Sequence, residues 1–183
     1  AGSAGGPAVL WTSHPWGHLW RSGSGLGSML CGFSALTFLP LGTATALGFA
    51  APIFITILAI PLLGEQVRIY RWSAVVVGFA GVLLVVGPLE GANATGAALA
   101  LGGAGMTALA MISIRRMAES ENGLAIVFYF TATCTVAGAL TLPFAAKLPV
   151  SAADAAMMVG TGLFGGVAQV FMTRAYARAP ASL

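Results

Sequence analysis

Charged side chains punctuate this chain at wide intervals, and the stretches between them are long and apolar. None occurs from 22 to 64, and further uncharged runs follow at 72–89, 91–114, 122–146 and 155–173. A soluble domain keeps a largely polar exterior, whereas about 17–25 apolar residues match the hydrocarbon thickness that one helix crosses. The first run is too long for one helix, and Pro40-Leu41-Gly42-Thr43 supplies a turn near its middle. The pattern therefore predicts six membrane spans, roughly 23–40, 42–63, 72–88, 95–114, 123–144 and 155–173, after a cytoplasmic connection over 1–22.

Composition agrees: 58% of the 183 residues are hydrophobic, 7% are charged, and mean hydropathy is +0.92. A net charge of +3 raises the question of a nucleic-acid partner, but its distribution assigns it another role. With six alternating spans, Arg21, Arg68, Arg71, Arg115, Arg116, Arg174 and Arg178 fall on one side, and only Lys147 on the other. This bias places the arginine side in the cytoplasm, so these residues set topology in a multi-pass inner-membrane protein. A nucleic-acid partner is not expected.

Few residues suggest chemistry. Cys31 and Cys134 both fall inside spans and read as small packing residues. Gly23-Ser24-Gly25-Leu26-Gly27 looks like a phosphate loop, yet it lacks the preceding strand and the soluble context that such a loop needs. His14 and His18 precede the first span, so a Ser–His dyad across helices is unavailable. The five acids sit at span ends without a histidine on the same helix face, which disfavours a metal-dependent enzyme. Neither a catalytic residue, a metal ligand nor a cofactor is indicated. Trp11, Trp16 and Trp20 suit a headgroup-level anchor. Gly23/Gly27 and Gly162/Gly166 have the spacing that lets helices approach closely. Pro52 is expected to kink the second span, either as a plain bend or as a flexible element beside a cavity. Spans four to six carry Thr107, Ser113, Tyr129, Thr131, Thr133, Thr135, Gln169 and Thr173. Hydroxyls that bond their own helix are weak signals, whereas Tyr129 and Gln169 each need a partner in a dry setting.

Phe38-Leu39-Pro40-Leu41-Gly42-Thr43-Ala44-Thr45-Ala46-Leu47, then Ala51-Pro52-Ile53-Phe54, Leu63-Gly64-Glu65 and Arg71-Trp72 with Val77-Gly78-Phe79-Ala80-Gly81-Val82 resemble the repeat of EamA-type transporters. Those belong to the drug/metabolite transporter superfamily. Phe128-Tyr129-Phe130 and Gly165-Gly166-Val167-Ala168-Gln169, with Arg174-Ala175 and Ala179-Pro180-Ala181-Ser182-Leu183, resemble parts of a second copy. The resemblance implies an all-α integral membrane fold of ten helices in two inverted five-helix repeats. Residues 23–88 would end the first repeat with three helices, and 95–183 would start the second. It further implies a carrier of a small organic metabolite or drug-like solute, with spans one, two and six bordering the cavity. Ser34, Phe54, Thr56 and Gln169 are then the cavity candidates, with Tyr129 on span five as a further choice. Glu65 reads as a helix-end residue rather than a proton carrier.

A small-molecule substrate and the lipid bilayer are the expected partners, with homodimerisation open. The alternatives are a non-transporting membrane scaffold and, less favoured, a membrane-embedded enzyme. The chain is expected to be a fragment that does not transport alone. Its reading frame should extend by two spans at each end; stop codons flanking these residues would contradict that expectation.

Overall fold

The computed structural model describes residues 10–86, 93–145 and 149–178, and every regular element among them is helical. In chain order these are α1 (Pro15–Ala35), α2 (Leu41–Gly48), α3 (Ala51–Leu63), α4 (Ile69–Val86), α5 (Ala94–Met117), α6 (Gly123–Ala145) and α7 (Ala152–Arg178). Four stretches are long and apolar enough to cross a membrane: Leu41–Leu63, Ala94–Met117, Gly123–Phe144 and Ala152–Arg178. Lys147, residues 87–88 of the third expected span and 179–183 of the second repeat lie outside the described residues.

The ends of these helices follow local chemistry. α1 begins at Pro15 rather than at Gly23, so residues 15–22 of the expected connection are helical. Proline suits the first helical position because the N–H it lacks would have no partner there. The uncharged run had been read as the helix itself, but a helix can carry a charged residue such as Arg21 wherever packing accommodates it. α5 is capped by Asn93, whose side chain accepts from the N–H groups of Thr95 (2.9 Å) and Gly96 (3.3 Å). At the start of α7, Ser151 and Asp154 cap one another: the Ser151 N–H donates to Asp154 at 3.0 Å and the Asp154 N–H to Ser151 Oγ at 3.1 Å.

The second span is broken, not merely bent. Pro52 cannot donate to the carbonyl one turn earlier and its ring crowds that carbonyl. The helix accordingly stops at Gly48, turns through Phe49 and Ala50, and restarts at Ala51. Ala50 N–H donates to Leu47 O at 3.0 Å within this turn. The far end closes on Gly64, whose φ of +67° lies in the left-handed region that glycine enters at little cost.

The bundle is organised around α5, which packs against α1, α2, α3 and α7; α6 lies on α1 and α7, and α4 on α2 and α3. A stripe of Gly96, Ala100, Ala104 and Ala108, one residue per turn, gives α5 a nearly flat buried face. At Gly103 a Cβ would lie 3.3 Å from both Ser28 O and Cys31 Cβ, so α1 and α5 approach there almost backbone to backbone. Of the expected small-residue pairs, Gly27 abuts Met106, whereas Gly23, Gly162 and Gly166 meet no neighbour among the described residues. Ser28 and Thr107 hydrogen-bond across the α1–α5 contact at 2.5 Å. Beneath them a cavity of about 120 Å³ is lined by Gly32, Ala44, Gly48 and Gly103 among others. Ile55, Met111, Ile114, Met117 and Ile126 form the main apolar cluster.

One end of the bundle gathers the start of α1, the α5–α6 connection and the end of α7. Glu121 contacts residues 12–14, and Arg115 Nη1 donates to Ala177 O at 2.9 Å. At the opposite end, Gly96 of α5 meets Phe38 and Leu39. This grouping matches the alternation used for the arginine bias. Alkaline phosphatase fused after Arg116 in the full reading frame should therefore be inactive, and a fusion at 149–151 active; the reverse pattern would refute a cytoplasmic arginine-rich end.

Candidate functional site

The polar groups that matter sit where α1 meets α6 and where Arg21 reaches across to Gln169 on α7. Arg21, assigned from sequence to the membrane edge, lies inside α1 and is 2% exposed. Its guanidinium carbon stands 4.1 Å from the centre of the Phe130 ring, and Nη2 donates to Gln169 Oε1 at 3.3 Å. An arginine over an aromatic face gains from the ring quadrupole, more so when desolvated. Gly25, one turn on, makes the site possible: a Cβ there would lie 2.5 Å from Arg21 Nη1 and 2.7 Å from Phe130 Cε2.

One turn nearer the helix start, His18 is 4% exposed and its ring centre lies 4.4 Å from that of Tyr129. Tyr129 Oη donates to Leu10 O at 3.1 Å, which ties the segment before α1 to α6. His18 Nε2 is 3.6 Å from Glu121 Oε2, within ion-pair reach but too long for a hydrogen bond, so neither ring nitrogen has a hydrogen-bond partner. Ser22 Oγ and Thr173 Oγ1 are also buried without partners, as are Nε and Nη1 of Arg21. Most buried polar groups are paired, so the unpaired ones among the described residues are a finding in themselves.

Glu121 organises the rim. Its side chain is 3% exposed, although it lies in the α5–α6 connection. Oε1 accepts from the Ser13 N–H (2.9 Å), Thr12 Oγ1 and Ser13 Oγ (both 3.0 Å) and the His14 N–H (3.1 Å), and it lies 3.3 Å from His14 Nδ1. The carboxylate thus caps the α1 N-terminus from another element, where the helix dipole favours negative charge. Burial opposes its ionisation. The hydrogen bonds from Ser13, Thr12 and His14 outweigh that, lowering its pKa from 4.5 to about 2. Among the described residues, no three His, Cys, Asp or Glu side chains are arranged to hold a metal ion.

Beside this rim lies a groove of about 910 Å³ lined by His14, Trp16, Trp20, Leu62, Arg116 and Ser120, among others. Trp11, Trp16 and Trp20 are all exposed.

The five sequence candidates do not converge. Gln169 and Tyr129 belong to the seam. Ser34 is exposed, and its carbonyl accepts from Thr37 Oγ1 at 2.7 Å. Thr56 is buried but its hydroxyl donates to Pro52 O at 2.8 Å, and Phe54 packs on the apolar clusters. Thr107, Ser113, Thr131, Thr133 and Thr135 likewise donate to carbonyls of their own helices. Sequence reasoning missed Arg21, His18 and Glu121 as site residues. Uncompensated charge beside Gly25 was the available signal for Arg21; no local pattern joins Glu121 to His18 across 103 positions.

The fold and its apolar helices define a multi-pass helical membrane protein. Residues 15–87 match the EamA-like transporter family, and the match begins where α1 begins. The riboflavin transporter of Rhizobium johnstonii is 30% identical over 97% of this chain and 59% of its own length. The pseudopaline exporter of Pseudomonas aeruginosa is 28% identical over 85% of this chain and 55% of its own. The S-adenosylmethionine uptake transporter of Rickettsia felis is 28% identical over 97% and 60%. The chain thus spans less than two thirds of these relatives. A solved crystal structure shares the fold with a TM-score of 0.74 at 21% identity, covering 93% of this chain and 60% of that one.

Because the folded pKa of Glu121 is depressed, its contribution to stability is complete above pH 4.5 and lost as pH falls through about 2. In that window the 10–14 segment should lose hydrogen-exchange protection. Glu121→Gln should reduce protection already near neutral pH and flatten the acid dependence; an unchanged pH profile would remove Glu121 as the clamp.

Proposed function

We propose that this chain is part of a carrier that moves a small organic metabolite or drug-like solute across the cell's inner membrane by alternating access. The observation that carries the reading is the alignment of three relatives named as small-molecule transporters over 85–97% of the chain. The family match over 15–87 supports it independently. In this reading α1 and α4 also cross the bilayer, giving six spans with the α2–α3 pair counted as one. Six helices of a ten-helix, two-repeat fold would be about three fifths of it, and the relatives are covered to 55–60%.

The broken α2–α3 element suits such a carrier, since interrupted helices in a membrane are tolerated where they border protein or a water-filled cavity. The Arg21–Gln169 seam would supply polar contacts to a solute, with the arginine-rich end in the cytoplasm. The second reading, a scaffold whose polar groups only join helices, draws on the hydroxyls that bond their own carbonyls and on the inter-helix Ser28–Thr107 pair.

Riboflavin, S-adenosylmethionine and pseudopaline form a first solute panel for the full reading frame in proteoliposomes. A carrier should move at least one panel solute, and Gln169→Ala should slow it several-fold at unchanged expression. Unaltered kinetics would exclude Gln169 from the solute path. A saturable rise in Tm with solute would argue against the scaffold, because a ligand stabilises the state it binds.

A further inference from the structure

Arg21 combines three properties that rarely coexist. It is buried within an otherwise uncharged helix face, its guanidinium stays protonated at any physiological pH, and no described carboxylate pairs with it. A buried charge without a counter-ion is among the costlier arrangements in a protein and costlier still at membrane depth. The seam offsets it only in part: Phe130 covers one face, and Gln169 accepts one bond at 3.3 Å. Nε and Nη1 keep protons to donate and have no acceptor.

The neighbouring orphans point the same way. Thr173 stands one turn from Gln169 on α7, 1% exposed, with its hydroxyl unpartnered; Ser22, beside Arg21, is 2% exposed and also unpartnered. Glu121 does not serve as the missing anion, because its Oε1 is held by residues 12–14 and Oε2 faces His18. Asp154 is committed to the cap of α7. Among the described residues the seam has no acceptor with negative charge and more than one oxygen, and guanidinium geometry matches such groups.

We propose that Arg21, with Gln169 and Thr173, is the anchor for an oxyanion, the carboxylate or phosphate group of a soluble solute that enters between α1, α6 and α7. This rests on the carrier reading and narrows it to anionic or zwitterionic cargo. Gly25 keeps the guanidinium's place clear, and the Phe130 face holds the cation while the site is empty. A lipid headgroup phosphate offers the same chemistry, so the two sources are separated experimentally.

The full reading frame, purified in non-ionic detergent, is titrated with sodium succinate, sodium phosphate and neutral succinamide at constant ionic strength, and Tm is followed. Succinate or phosphate should raise Tm saturably, and succinamide should not. Arg21→Met removes an uncompensated charge and should fold with Tm unchanged or higher while losing the response. Arg21→Lys should retain it with at least tenfold weaker half-saturation. Should Arg21→Met not be recovered folded, the double variant Gln169→Leu/Thr173→Val decides, and it must weaken half-saturation at least fivefold. Absence of an anion response in the wild type, or its survival in Arg21→Met, overturns the proposal. Stabilisation by phosphatidylglycerol over phosphatidylcholine nanodiscs, without any effect of soluble anions, overturns the assignment to a solute. Counterflow on the same preparation separates the two readings. Transport of neutral solutes without an anion effect sinks the anchor and leaves the carrier, whereas anion stabilisation without transport of the panel leaves the anchor and sinks the carrier.

Discussion

The close approach of α1 to α5 is the contact on which the rest of the bundle depends. Lipid tails are as apolar as leucine, so apolar side chains gain little by leaving lipid for one another, and helices associate through dispersion and interhelical hydrogen bonds. α5 meets this constraint with its glycine and alanine stripe, and at Gly103 the α1 backbone comes within ordinary contact distance. Ser28 and Thr107 then close a polar contact between the helices. With α1 seated on α5, its other face is presented to α6 and α7, and Arg21 is carried into the seam.

That seam gives the structure its functional character. Thr56, Thr131 and Thr133 are satisfied by carbonyls of their own helices, which removes them as ligand groups. In the seam the opposite holds: a guanidinium, an imidazole and two hydroxyls are enclosed with donors or acceptors unused. A partly satisfied buried network is a site of stored desolvation cost. The Glu121 clamp sets where α1 begins, so the depth of Arg21 in the bundle is tied to a connection more than a hundred positions away. Rim, seam and broken helix are therefore parts of one packed arrangement.

Much of the fold was legible in the chain because bilayer length and charge punctuation are local signals. The uncharged runs and the disturbance expected at Pro52 each follow from residues near one another in sequence, although the expected kink is a full break between α2 and α3. The EamA resemblance was carried by motifs between Phe38 and Val82 and by a second set between Phe128 and Leu183, and the family match over 15–87 covers the first set. Among the candidates, Gln169 accepts from Arg21 of α1 and Tyr129 donates to Leu10 before it, which follows from polar heads that need partners in a dry setting. For Ser34, Phe54 and Thr56 the resemblance implies only which spans border a cavity, and a span does not say whether a side chain faces a neighbour, its own carbonyl or the exterior.

Sequence alone determined that this is a helical membrane protein and roughly where its helices lie, because hydrophobic transfer acts residue by residue. Only the tertiary structure decided that α1 starts at Pro15, that Arg21 is enclosed rather than at the membrane edge, and that Glu121 meets His14 and His18. Those outcomes depend on which helices touch, and contact in lipid is set by the shape of small-residue faces summed over a whole helix.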